Sequence, residues 1–175
     1  MTTLFYILGG LILLIIILSL LAPKTYKVSR SVEISKPKAE IFKYLLSLKN
    51  MDEWSPWAKR DPNMKHSYTG TDGEVGFISR WVGNKDVGEG EQEITKIVDG
   101  ERIETQLRFL KPWKSVSDAF LSVDDSANGK IKVSWGFTGK NKFPMTIMAM
   151  FINMDKMIGK DFEEGLASLK SIMEK

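Results

Sequence analysis

The sequence predicts an α+β fold. A curved antiparallel sheet of about seven short strands closes around one long C-terminal helix, behind an N-terminal membrane-spanning helix. Three observations predict it. Residues 25–138 alternate apolar and polar side chains between turn pairs such as Asp72-Gly73, Asp99-Gly100 and Asn128-Gly129, the pattern of successive hairpins with one buried face. Residues 143–175 carry apolar side chains at helical spacing, from Met150, Met154, Met157 and Ile158 through Phe162, Leu166 and Leu169 to Met173. Residues 4–22 hold no charged side chain.

The bulk composition narrows the function classes. A chain of 175 residues, 43% hydrophobic and 27% charged, suits one domain with a proper core plus an appendage. The expected division is an anchor over residues 1–23 and a domain over 24–175. A net charge of +3 is too weak to argue for nucleic acid. The absence of cysteine removes disulfides, thiol nucleophiles and thiolate metal sites. With one histidine in the chain, a histidine-built metal centre is not expected, nor is any cofactor.

The N-terminal stretch is mostly Leu and Ile, broken by Gly9-Gly10 and Ser19. Its length just spans a hydrocarbon layer of about 30 Å. A cleaved signal peptide is the competing reading. Against it stand the lack of a basic leading region and the poor cleavage sequence Leu20-Leu21-Ala22. Pro23 stops the helix. Lys24, Lys27 and Arg30 follow, so the positive-inside rule puts the domain in the cytoplasm.

Thr25 to Ile34 is a half-buried first strand with Tyr26, Val28, Val32 and Ile34 on one face. Arg30 shares that apolar face. It is either an edge residue reaching back to water or a cation at a pocket that takes an acidic head group. Ser35 is placed to cap a short helix, with Lys36 and Pro37 in its first turn and Ile41, Phe42, Leu45 and Leu48 as its stripe. A second helical turn covers Asn50 to Trp54. The loop Trp54-Ser55-Pro56-Trp57 places two tryptophans where they either gate a cavity or roof a core.

Six further strands are expected. They are Met64–Thr69, a strand with Val75, Phe77, Ser79 and Trp81 on one face, Val87–Val98, Ile103–Phe109, Ser115–Val123 and Ile131–Phe137. Gly88 and Gly90 mark a bend or bulge in the third of these. The last stretch opens with Phe143-Pro144, and proline is favoured at the first position of a helix. Read as one helix to Lys175, it is about 45 Å long.

This order of elements, with Trp54-Ser55-Pro56-Trp57, Asp61-Pro62-Asn63-Met64 and Val87-Gly88-Glu89-Gly90-Glu91, resembles the START-like, helix-grip (SRPBCC) superfamily over residues 25–174. It is most similar to the bacterial polyketide cyclase/dehydrase-like branch. The resemblance implies a deep hydrophobic cavity between sheet and last helix. It implies binding of lipids, polyketides or other apolar compounds, with enzymatic activity in some members only.

If the alternation holds, Phe77, Trp81, Ile103, Leu107 and Phe109 face that cavity, with Phe120, Val133, Trp135 and Phe137 from the later strands. Trp54 and Trp57 stand at its edge, and Met148, Ile152 and Met157 come from the helix. The same residues could simply fill a core. Residues 145–152 are apolar on nearly every side and need cover from lipid, a partner or a lid. For catalysis the inventory is thin. His66 reads as a solvated side chain. Asp118 is a surface carboxylate, or, pointed inward, a general base with a pKa raised by desolvation. Glu89, Glu91 and Glu93 share a strand face and read as an exposed, lysine-balanced row rather than a metal site. The expected function is membrane-anchored binding of a small hydrophobic or amphiphilic ligand. The alternatives are a cyclase- or hydrolase-type enzyme using Asp118 or Arg30, or a partner-binding domain with a collapsed cavity.

Overall fold

The computed structural model describes residues 2–140, 146 and 153–175. An apolar helix α1 (Thr2–Leu21) leads into strand β1 (Thr25–Ile34). Three short helices follow, α2 (Lys38–Leu46), α3 (Met51–Trp54) and α4 (Pro56–Arg60). Then come β2 (Lys65–Thr69), β3 (Ile78–Val82), β4 (Glu89–Val98), β5 (Arg102–Lys111), β6 (Ser115–Asp125) and β7 (Ile131–Lys140), and last the helix α5 (Met154–Met173). The seven strands form one antiparallel sheet in the order β1-β7-β6-β5-β4-β3-β2. Each consecutive pair from β2 to β7 is a hairpin neighbour, and β1 closes the other edge against β7. This is the helix-grip arrangement expected from the alternation and the turn pairs.

Side chains from the inner face of the sheet meet α2, α3 and α5. Val28, Ile34, Ile94, Ile103 and Val133 come from the strands, and Ile41, Leu45, Leu166 and Leu169 from the helices, all essentially without solvent contact. Helix α5 lies along β1 and β7 and is held at both ends. Near its start, Arg30 donates from Nη1 and Nη2 to the Asp155 carboxylate (2.8 and 3.0 Å) and from Nε to Glu163 (2.6 Å). That fork holds the Asp155 carboxyl below the usual carboxylate range. At the far end, the Ser35 N–H donates to Glu174 (2.7 Å) and Lys170 donates to the Glu33 carbonyl (2.8 Å). Gly165 lets the helix come close to the sheet, because a Cβ there would stand 2.8 Å from the Trp135 ring.

The structure corrects four expectations. The C-terminal helix is not continuous from Pro144. Asn153 is extended (φ −83°, ψ 93°) and its side chain accepts from the Lys156 N–H at 2.9 Å, so it caps a helix that begins at Met154. The described helix is therefore about 30 Å long rather than about 45 Å. Phe143, Pro144 and the apolar run 145–152 lie outside the described residues, Thr146 apart. Helix α2 starts at Lys38 with Pro37 at its cap position, and no side chain caps it. Strand β3 begins at Ile78, and Val75 is exposed in the preceding turn. Met157 is 56% exposed. It lies on the outer side of α5, away from the face carrying Phe162 and Leu166.

Candidate functional site: an apolar cavity with one polar wall

A cavity of about 320 Å³ lies between the sheet, α3, α4 and the first half of α5. Its deep wall is formed by Leu48, Ala119, Trp135, Phe137 and Phe162, all buried. Its rim consists of the partly exposed Met64, Trp81, Val87, Phe109 and Ile158 and the exposed Asp86. The volume reaches the lower end of the range for sites that take drug-sized molecules, which argues against a collapsed cavity.

An aromatic cluster shapes the deep wall. Trp135 stacks on Phe162 with centroids 4.2 Å apart. It also receives the edges of Trp54 and Trp57, at 4.8 and 5.5 Å. Such pairs add to the burial of their area. At the rim, Trp81 packs edge-on to Phe109 at 6.0 Å. Gly90 sits between them in the ladder. A Cβ at Gly90 would collide with the Trp81 ring, so glycine here lets the indole lie flat over β4. The ladder register also shifts between Glu89 and Gly90, where the bend was expected.

The remaining wall is polar. His66 on β2 and Asp52 on α3 both line the cavity, with His66 Nδ1 3.5 Å from Asp52 Oδ2. His66 Nδ1 is buried without a hydrogen-bond partner among the described residues. Tyr68 donates its hydroxyl to Asp52 at 3.1 Å and stacks between His66 and Phe77. Burial pushes the Asp52 carboxyl above its usual range, against the opposing pull of His66 and Tyr68. Burial and the nearby Asp52 push the Tyr68 hydroxyl up to about 12. Ser79 and Gln92 continue the polar wall, and Gln92 Nε2 donates to Thr105 Oγ1 at 2.9 Å.

Of the residues expected at the cavity, Trp57, Trp81, Leu107, Phe109, Trp135 and Phe137 line it. Trp54 and Phe77 are fully buried behind it, as core. Ile103 and Val133 are core likewise. Phe120 faces the opposite side of the sheet, over Gly136 and under the Arg102 guanidinium at 3.9 Å. Its neighbours Ala119 and Leu121 take the inner face instead. Met148 and Ile152 lie outside the described residues. Asp118 is exposed on that same outer face, next to Thr138 in the ladder. Arg30 is on the inner face but is committed to Asp155 and Glu163. Neither candidate catalytic residue is among those lining the cavity. Glu91 and Glu93 pair with Arg108, and Glu89 with Lys111. The described residues contain no cluster suited to a metal ion.

The polar wall is what sequence reading misses. His66 alternates with Tyr68 along β2, and β2 pairs with β3 so that His66 stands opposite Trp81. That register was the available signal. Asp52 reaches the cavity from a four-residue helix, too short to leave a periodic pattern.

Residues 25–174 match the family described as polyketide cyclase / dehydrase and lipid transport. No curated protein matches the chain. Solved structures share the fold at low identity. One is a protein from Chromobacterium violaceum, at 16% identity and a TM-score of 0.57, covering 87% of this chain and 99% of that one. The major latex-like protein 151 of Panax ginseng has 12% identity and a TM-score of 0.58, with 87% and 100% covered. The Aha1 dimer from Colwellia psychrerythraea has 13% identity and a TM-score of 0.59, with 85% and 96% covered.

Proposed function

Because the chain belongs to the polyketide cyclase / dehydrase and lipid transport family, we propose that it holds a small hydrophobic or amphiphilic molecule in this cavity, close to a membrane in which α1 is anchored. The observation that carries the reading is the apolar cavity of about 320 Å³ with its rim at one end of the sheet. By ladder register, Phe109, Gly90, Trp81 and His66 form one row. That row lies at the end where Thr25 pairs with Lys140. Thr25 is also where α1 joins the domain.

Helix α1 is long and apolar enough to cross a membrane over Thr3–Leu21. Residues 22–24 then allow at most about 14 Å between the helix end and Thr25. The rim is thus held beside the bilayer surface, and the anchor raises the effective concentration of any ligand that the bilayer supplies. Lys24 and Lys27 support the cytoplasmic side for the domain. The β5–β6 hairpin projects at the same end. Its tip carries Trp113, 80% exposed, between Lys111 and Lys114. Tryptophan and lysine together suit the headgroup level of a membrane. In proteoliposomes with brominated acyl chains, a component of the tryptophan fluorescence should be quenched and should vanish in Trp113→Phe. Equal quenching in both would place the hairpin away from the lipid.

The binding reading itself is tested with the full chain in lipid nanodiscs. Trp57, Trp81 and Trp135 line the cavity, so a long-chain alkyl bromide bound there quenches them on contact. We expect saturable quenching at one equivalent per chain. A linear, unsaturable response would reflect bilayer partitioning and would contradict a site. Asp118 and Arg30, the two residues named for the enzymatic reading, are not among those lining the cavity.

A further inference from the structure

The charges around the cavity are one-sided. Asp52, Asp86 and Asp161 line it, and among the described residues no lysine or arginine does. Asp161 is neutralised by Arg60. The one cation on the inner face of β1, Arg30, is spent on Asp155 and Glu163. An acidic head group entering this cavity therefore finds no cation and meets the Asp52 and Asp86 carboxylates. A hydroxyl head group meets none of that penalty.

The polar wall offers that hydroxyl a partner. Asp52 Oδ2 stands 3.5 Å from His66 Nδ1. Of the two neutral tautomers, a carboxylate at that place favours the one with its proton on Nδ1, which leaves Nε2 as an acceptor. Asp52 is itself fixed by the Tyr68 hydroxyl. Tyr68 pairs with Ser79 and Ser79 with Gln92 in the ladder, so further hydrogen-bonding groups stand one row away. Polar side chains on a wall that an apolar fold must otherwise desolvate are costly unless something bonds to them.

We propose that His66, beside Asp52, is a head-group site that selects uncharged, hydroxyl-bearing amphiphiles over acidic ones. The hydroxyl donates to His66 Nε2 and the chain lies against Leu107, Trp135 and Phe162. This rests on the ligand-binding reading and gives its ligand a chemical class.

The test uses the full chain in phosphatidylcholine nanodiscs and probes of equal chain length: an alkyl bromide, an ω-bromo fatty alcohol, an ω-bromo fatty acid as its anion, and an ω-bromoalkyl trimethylammonium ion. Tryptophan quenching gives each dissociation constant, corrected for bilayer partitioning. The alcohol should bind about tenfold tighter than the alkyl bromide, the scale of one added hydrogen bond, and tighter still than the acid. His66→Leu should bring the alcohol down to the level that the alkyl bromide shows on the same variant, with far-ultraviolet circular dichroism confirming that the variant folds. His66→Gln should recover part of the difference. An acid or a trimethylammonium ion that binds as tightly as the alcohol overturns the assignment, as does a His66→Leu variant with the alcohol's advantage intact. If no probe quenches saturably, the binding reading falls, and this inference with it.

Discussion

Trp135→Ala should destabilise the domain by about 3–5 kcal/mol, the usual cost of removing a large buried aromatic. Trp135 is 5% exposed and joins three elements at once. It stacks on Phe162 of α5, meets Trp54 of α3 and Trp57 of α4, and stands beside the backbone of Gly165. Its loss removes the surface on which the C-terminal helix rests. The space left is continuous with the existing cavity, so neighbouring side chains cannot close it cheaply. Denaturant unfolding of the full chain in nanodiscs, followed by far-ultraviolet circular dichroism, measures the change. Trp113→Ala is the matched control. Its ring is exposed at the hairpin tip, and substitutions of that kind stay within about 0.5 kcal/mol. Equal effects at the two positions would show that the aromatic cluster does not hold the helix.

Ala119→Trp should abolish binding while leaving the fold in place. Ala119 is a small side chain on the inner face of β6 and lines the deep wall. An indole at that position projects into open space and occupies what a ligand would. We expect the alkyl bromide dissociation constant to rise by about a hundredfold, which corresponds to about 2.8 kcal/mol. Stability should change less than in Trp135→Ala, because the new ring fills a void rather than displacing packed atoms. Unaltered binding by a folded Ala119→Trp variant would put the ligand elsewhere on the molecule.

Most of the sheet was legible because its signal is local. The alternation of Ile131, Val133, Trp135 and Phe137 fixes one face of β7, and glycines with positive φ at positions 100 and 129 close the turns that Asp99-Gly100 and Asn128-Gly129 announce. Where the local signal fails, so did the reading. Strand β6 has Ala119, Phe120 and Leu121 in an unbroken apolar run, and periodicity cannot say which of them points inward. The answer lies on the neighbouring strand, where Gly136 leaves room for the Phe120 ring on the outer face. At the C-terminal helix, Pro144 gave a start signal that Asn153 overrides for the described helix, by capping its own first turn. Asn153 with Asp155 two residues on was a second, equally local signal. Cavity and polar wall are a different matter. Asp52, His66, Ser79 and Gln92 come from α3, β2, β3 and β4. Only the register of three strands and the seat of a four-residue helix bring them together.

The central claim is that the cavity is occupied by an amphiphile drawn from the membrane. It is tested most directly by native mass spectrometry of the full chain released gently from its own membranes, with organic extraction of whatever remains bound, side by side with Ala119→Trp. The account predicts one equivalent of an uncharged, hydroxyl-bearing lipid on the parent chain and none on the variant. A parent chain that emerges empty, or a variant that retains the same lipid, would contradict it.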